Sequence, residues 1–271
     1  MRLDHKVALI TGSAKGLGKR TAFTLAELGC DIALNYVHSK EEAEALKREL
    51  EALGVRAEAF QADIAKPGDV ERLADEAAGK LGGIDILVNN AGPFIRERRR
   101  FADYAREEID YLVRGNLLGV MELDHLVLPG MRRAGWGRIV HFGFGHAAEA
   151  PGWPHRAAYA AAKVGLVSFT KTLAVEEAPY GITVNMVCPG DIRGAHKEAG
   201  IDDVRQETDP ESPRGRPGTG EDVARVIAFL CERQSDFLTG NIIDVSGGLD
   251  PIRSVKGFAA DTAPQRKEES L

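Results

Sequence analysis

Tyr159 and Lys163 stand four residues apart in YAAAK, at the start of a long apolar stretch that reads as a helix. At that spacing both side chains share one helical face. A free phenol titrates near ~10, too high for easy proton exchange at neutral pH, and a nearby ammonium favours the phenolate and lowers that value. The pair is a candidate proton-transfer couple. The run before it, IVHFGFGHAAEAPGWPHRA, holds no Ser or Thr, and none occurs between Ser39 and Ser168. Any hydroxyl partner of the couple must therefore be replaced by another group.

A second chemical signal lies near the beginning. VALITGSAKGLGKRTAFTLAELG sets Gly12, Gly16 and Gly18 between an apolar run and an amphipathic one. Glycines there let the backbone turn sharply and approach a pyrophosphate, whose charge settles at the N-terminus of the following helix. The spacing is G-x-x-x-G-x-G, and Ser13, Lys15 and Leu17 fill it. A dinucleotide is the expected ligand. NAD sites usually carry a carboxylate near the end of the second strand. Here that strand closes on Asn35-Tyr36 and continues Val37-His38-Ser39-Lys40, with no acid. Lys15 supplies a cation, and Asn35, His38 and Ser39 are further candidate contacts. The reading is NADP(H) in preference to NAD(H).

These residues need a frame. KVALITG, DIALNY, AEAFQAD, IDILVNN, GRIVHFG, ITVNMVCPG and NIIDVSGG read as strands, mostly continuous apolar runs as in strands covered on both faces. Amphipathic segments such as SKEEAEALKRELEAL, with Ser39 as N-cap, and PGDVERLADEAAGKL alternate with them. The expected architecture is α/β: a single doubly wound Rossmann-type domain, a parallel sheet with helices on both faces and the site at the strand C-terminal ends. It would occupy residues 1–250. Residues 193–220, polar and rich in Gly and Pro, break the pattern and read as a substrate loop closed by a cap at Thr219–Asp222, and 251–271 read as a polar C-terminal tail.

Composition narrows the class. With 271 residues, net charge −6, 44% apolar and 28% charged residues, the chain reads as a soluble globular protein with no nucleic-acid surface and no membrane partner. No apolar run reaches the roughly 18 residues of a membrane span. The start enters a strand almost at once, leaving no room for a signal peptide. Cys30, Cys188 and Cys231 are scattered, fit a reducing cytosol and lack metal-ligand spacing. A cytoplasmic location and no metal are expected.

Thr11–Gly18, Asp63-Ile64, Asn89-Asn90-Ala91-Gly92, Asn116, Tyr159–Lys163, Pro189-Gly190 and Ser246–Gly248 occur in one order along nearly the whole chain. In that order the chain resembles the short-chain dehydrogenase/reductase family. Through ITVNMVCPGDI and FLCERQSDFLTGNIIDVSGG it looks most like the 3-oxoacyl-acyl-carrier-protein reductases. The resemblance implies that Asp63 and Ile64 flank the adenine, that Asn89–Gly92 line the cofactor cleft, and that Pro189, Gly190 and Ile192 support the nicotinamide end. It implies that Tyr159 gives a proton to the carbonyl oxygen, that Lys163 holds the nicotinamide ribose, and that Asn116 holds a relay water. It also implies a homotetramer, with the helix of Tyr159 packed between subunits.

Two family positions depart. The usual threonine is Gly194 here. The catalytic serine is absent: alignment on the fifth strand places Phe144 there, whereas the usual thirteen-residue spacing from Tyr159 gives His146, because the loop between is two residues longer. His146 is the candidate substitute donor. The expected activity is NADP(H)-dependent hydride transfer between nicotinamide and a carbonyl or alcohol, on a small molecule or a 3-oxoacyl thioester. Enoyl-type C=C reduction and a non-catalytic NADP(H)-binding sensor or scaffold are the alternatives.

Overall fold

The computed structural model describes residues 3–250; the expected tail, 251–271, lies outside them. Seven strands form one parallel sheet: β1 Val7–Ile10, β2 Asp31–Tyr36, β3 Ala57–Gln61, β4 Ile86–Asn89, β5 Gly137–Phe142, β6 Ile182–Pro189 and β7 Ile242–Val245. Their order is β3-β2-β1-β4-β5-β6-β7. Every residue of β1, β2, β4 and β5 is buried. That is why these strands read as largely apolar runs, with Asp31, Asn35, Asn89, Arg138 and His141 as buried polar exceptions: helices cover both faces and leave no solvent side to encode.

The helices are α1 Gly16–Glu27, α2 Lys40–Glu51, α3 Pro67–Leu81, α4 Arg106–Val113, α5 Gly119–Ala134, α6 Ala157–Glu177 and α7 Gly220–Cys231. One apolar layer packs α1 and α7 against one face of the sheet, through Leu25, Val223 and Ile227. Another packs α3 and α5 against the opposite face, through Leu73, Leu123 and Met131. The strand order reverses between β2 and β4, on either side of β1. This opens a crevice at the C-terminal ends of β1 and β4, where open parallel sheets bind ligands.

Local signals held with one exception. Thr219 Oγ accepts the Asp222 amide at 3.2 Å while the Asp222 carboxylate accepts the Thr219 amide at 2.9 Å, a complete capping box for α7. Ser39 does sit at the N-cap of α2, but its side chain makes no capping bond. Residues 193–220 are not featureless: they contain short 3-10 turns at Gly194–Lys197 and Asp202–Val204. No helix among the described residues is long and apolar enough to cross a membrane.

Candidate active site

The glycine loop leaves β1 at Thr11 and enters α1 at Gly16. Gly12 takes φ +62°, a left-handed conformation that side chains rarely adopt. A Cβ on Gly18 would lie 2.6 Å from both the Asn90 side chain and the Gly12 carbonyl. These two glycines keep the backbone low enough to cradle a phosphate.

Several residues expected to touch the cofactor hydrogen-bond within and beneath the glycine loop. Asn35 is buried; its Oδ1 accepts the Gly12 amide at 3.0 Å and its Nδ2 donates to Ala62 O at 3.0 Å. Ser13 is fully buried, and its Oγ accepts the Asn35 amide at 3.0 Å. Asn90 donates to Thr11 O at 2.8 Å and to Gly12 O at 3.1 Å, and the Ala91 amide donates to Thr11 Oγ at 2.9 Å. Buried Asn89 donates to Asp124, whose other oxygen bonds to His141, and His141 reaches Thr170 of α6. The side chains of Ser13, Asn35 and Asn89 are thus committed to protein partners. Asp63 accepts its own turn's Ala65 amide at 3.0 Å, and Ile64 is buried.

At the loop's rim, Lys15 pairs with Glu42 at 2.6 Å, and both are largely solvent-facing. The Lys15 ammonium holds the Glu42 carboxyl below its ordinary value. His38 is exposed and Ser39 half-buried beside this pair in sequence. Glu42, from the first turn of α2, is the carboxylate that meets Lys15, and strand patterning gives no hint of it.

Another unexpected carboxylate sits on the phosphate cradle itself. Glu198 accepts the Gly16 amide at 2.8 Å and lies 3.3 Å from the Lys19 ammonium. Amides and positive dipole at a helix start attract an anion. Glu198 comes from the 193–220 segment, so that segment reaches over the cradle and satisfies it with its own negative charge.

The catalytic candidates meet in a cavity of about 390 Å³ at the ends of β4, β5 and β6. Asn116, Tyr159, Lys163, Leu17, Asn90 and Gly92 line it, together with Pro189, Gly190 and Ile192. Asn116 lies in a single π-helical turn, Arg114–Leu118, between α4 and α5. Such turns often mark functional positions. Its Nδ2 donates to Pro93 O at 2.8 Å and to Leu112 O at 3.0 Å, while its Oδ1 is buried without a protein partner. A Cβ on Gly92 would collide with that oxygen and approach Lys163 Nζ to 3.5 Å, so the glycine keeps both groups open to each other.

Lys163 is buried and donates to Phe142 O at 2.8 Å. Burial lowers its pKa to about 8. Burial also raises the Tyr159 phenol, which therefore keeps its proton. Tyr159 has no protein hydrogen bond within the described residues, so its hydroxyl is free for a ligand. Its ring packs edge-on to Phe94 at 5.0 Å and beside Trp153 at 5.9 Å.

Phe144 stands where β5 delivers a side chain toward this hydroxyl. It is buried, lines the cavity, and its ring lies 6.2 Å from that of Tyr159. His146 does not line the cavity; its amide donates to Asp244 at 2.8 Å and its Nδ1 bonds to Glu149 at 2.9 Å. His146, expected as the substitute donor, is thus placed outside the lining of this cavity, with its backbone held by Asp244 of β7 and its ring by Glu149.

Similarity to known proteins agrees with this geometry. Residues 12–250 match the family described as enoyl-(acyl carrier protein) reductase. The protein YtkK of Bacillus subtilis (strain 168) is 48% identical over 246 residues, 90% of this chain and 96% of its own length. The 3-oxoacyl-[acyl-carrier-protein] reductase FabG of Staphylococcus epidermidis is 38% identical over 245 residues, 90% of this chain and 99% of its own. A blue fluorescent protein from a metagenomic library, solved in complex with NADPH, superposes with a TM-score of 0.79 at 32% identity, covering 92% of this chain and 99% of its own.

Proposed function

The chain belongs to the short-chain dehydrogenase/reductase family, and on that footing we propose that it is an NADP(H)-dependent reductase of carbonyl compounds working without the family's serine. The observation that carries this reading is the shared cavity. The unpartnered Tyr159 hydroxyl, the buried Lys163 ammonium and the orphaned Asn116 oxygen open into one space beside the glycine cradle. Bound NADPH supplies the hydride. Tyr159 holds the substrate oxygen and gives it a proton. Lys163 steadies the phenolate so formed, and Asn116 Oδ1 offers an acceptor for the proton path behind it. Gly12, Gly16, Leu17 and Gly18 would hold the pyrophosphate once Glu198 yields the Gly16 amide. Asp63 and Ile64 would border the adenine; Asn90 to Gly92, Pro189, Gly190 and Ile192 would border the nicotinamide.

Lys15, His38 and Ser39 would meet the 2′-phosphate. Lys15→Ala is expected to weaken NADPH binding by about 10- to 100-fold, the worth of a charge-assisted hydrogen bond, and NADH binding far less. Glu42→Gln, which releases Lys15, should shift the preference the other way. Titration of both cofactors against each variant checks this. Equal losses for the two would remove the NADP(H) preference.

The low Lys163 value sets a pH limit. Below about 8 the group is an ammonium; above it the charge is lost. The kcat/KM for carbonyl reduction is therefore expected to fall as pH rises through about 8. Initial rates across the alkaline range test it, and a rate that stays flat to pH ~10 would show that Lys163 charge is not needed.

C=C reduction is the second reading, favoured by the absence of a second hydroxyl donor at Phe144. The exposed apolar side chains Leu118 and Met121 at the start of α5, and Val175 on α6, support assembly into a homo-oligomer.

A further inference from the structure

Three aromatic rings surround the ring of Tyr159, whose hydroxyl has no protein hydrogen bond among the described residues. Phe144 and Trp153 lie 5.0 Å apart, Trp153 stands at 75° to Tyr159, and Phe94 stands at 85° to Tyr159. All four line the cavity. Edge and tilted contacts of this kind leave ring faces available to a flat guest. Two lysines also line the cavity: Lys163, which donates to Phe142 O, and Lys197, which comes from the 193–220 segment beside Gly16. Arg156 is buried against the face of Phe94 and donates to Arg96 O and Glu97 O, both at 2.7 Å. It braces the Phe94 loop and has no reach for an anionic substrate.

The wall is built by an unusual loop. Between β5 and α6, His146, Ala150 and His155 take φ of 64°, 50° and 66°. Three non-glycine residues in left-handed conformation within one loop mark stored strain, which persists only where surroundings hold it. The loop is pinned near its start by the bond from the His146 amide to Asp244. At its end, Tyr104 Oη donates to His155 O at 2.9 Å. The stretch two residues longer than the family's usual spacing is therefore the one that carries Trp153 into the cavity.

We propose that Phe144 and Trp153 make this site selective for flat, conjugated carbonyl compounds, such as aryl ketones and cyclic enones, over linear 3-oxoacyl thioesters; the proposal rests on the reductase reading above. The chemistry agrees with the wall. The electrophilic carbon takes the hydride that reduced nicotinamide supplies, the oxygen takes the Tyr159 proton, and the substrate gains two electrons while oxidised nicotinamide remains. Tyr159 is the sole side-chain donor identified at the oxygen; conjugate hydride addition to an enone spreads the developing charge over an enolate, whereas the alkoxide from an aryl ketone stays on one oxygen and the ring wall contributes by binding the flat substrate. A linear thioester offers no flat surface to the rings and needs the second donor that Phe144 replaces.

The test compares NADPH oxidation with tetralone and with the acetoacetyl thioester of N-acetylcysteamine. Wild-type kcat/KM is expected to be higher for tetralone. Trp153→Ala should lower it about tenfold, mainly through KM, and Trp153→Phe should retain most of it. The thioester kcat/KM should fall by a smaller factor than the tetralone value in Trp153→Ala, and NADPH affinity should be nearly unchanged in both variants. Preference for the thioester, or equal losses on both substrates, overturns the proposal. If neither compound oxidises NADPH, the reductase reading fails for them, and tetralone binding still decides the wall. Saturable quenching of fluorescence present in wild type and missing in Trp153→Phe supports it; no quenching refutes it.

Discussion

Tyr159→Phe is expected to reduce kcat for carbonyl reduction by about 10²–10⁴, the usual worth of a positioned general acid, while leaving NADPH affinity and thermal stability close to wild type. The structural reason is separability. The Tyr159 ring packs against Phe94, Trp153 and Phe144, and a phenylalanine keeps those contacts. Only the hydroxyl is lost, and it has no protein partner whose bond would break. Burial holds that phenol in its protonated form, so the donor is charged with its proton before substrate arrives. A loss of this size amounts to about 3–5 kcal/mol of transition-state stabilisation. Steady-state rates beside cofactor titration and melting curves check all three parts. A variant with wild-type turnover would place the proton source elsewhere.

Phe144→Ser should have the second large effect, and in two directions. It places a hydroxyl on the end of β5 beside Tyr159. One preorganised donor of this type is worth about 10²–10³ in rate, so turnover of linear 3-oxoacyl thioesters per folded site should rise by tenfold or more. Stability should fall. Phe144 is buried against Trp153, and removing a buried phenyl ring costs about 3–5 kcal/mol. Counting folded sites by NADPH titration separates the two effects. If rates per site do not rise, the missing serine is not what limits the reaction on these substrates.

Much of the frame was legible in the chain because burial on both faces writes strands as plain apolar runs. All seven strands fell within the segments read as strands, although β3, AEAFQ, and β7 are partly exposed, and Gly12, Gly16 and Gly18 fell at the turn that they suggest. Tyr159 and Lys163 were readable because a four-residue step on a helix fixes a shared face. Asn116 was readable only by resemblance: nothing in RGNLLGV announces a π turn. Other residues misled for specific reasons. Ser13 and Asn35 have the polarity of cofactor ligands, but the pleat and the turn aim them under the loop, where the Gly12 and Asn35 amides need acceptors. His146 was near in sequence and far in function, because left-handed residues at 146, 150 and 155 redirect the loop. Glu42 and Glu198 were invisible as site residues. One meets Lys15 from the next helix and the other reaches Gly16 across 182 residues of chain, and neither has a spacing rule.

The central claim is that a site without its serine still transfers hydride to a carbonyl. The most direct test is NADPH consumption by the wild-type protein with a panel of aryl ketones, cyclic enones, simple ketones and 3-oxoacyl thioesters, with products identified by mass spectrometry. One alcohol, or one saturated ketone from an enone, is expected for each NADPH consumed, fastest with the flat conjugated members. Saturable NADPH binding with no oxidation by any member of the panel would contradict this claim and point to the dinucleotide as a signal that this protein senses.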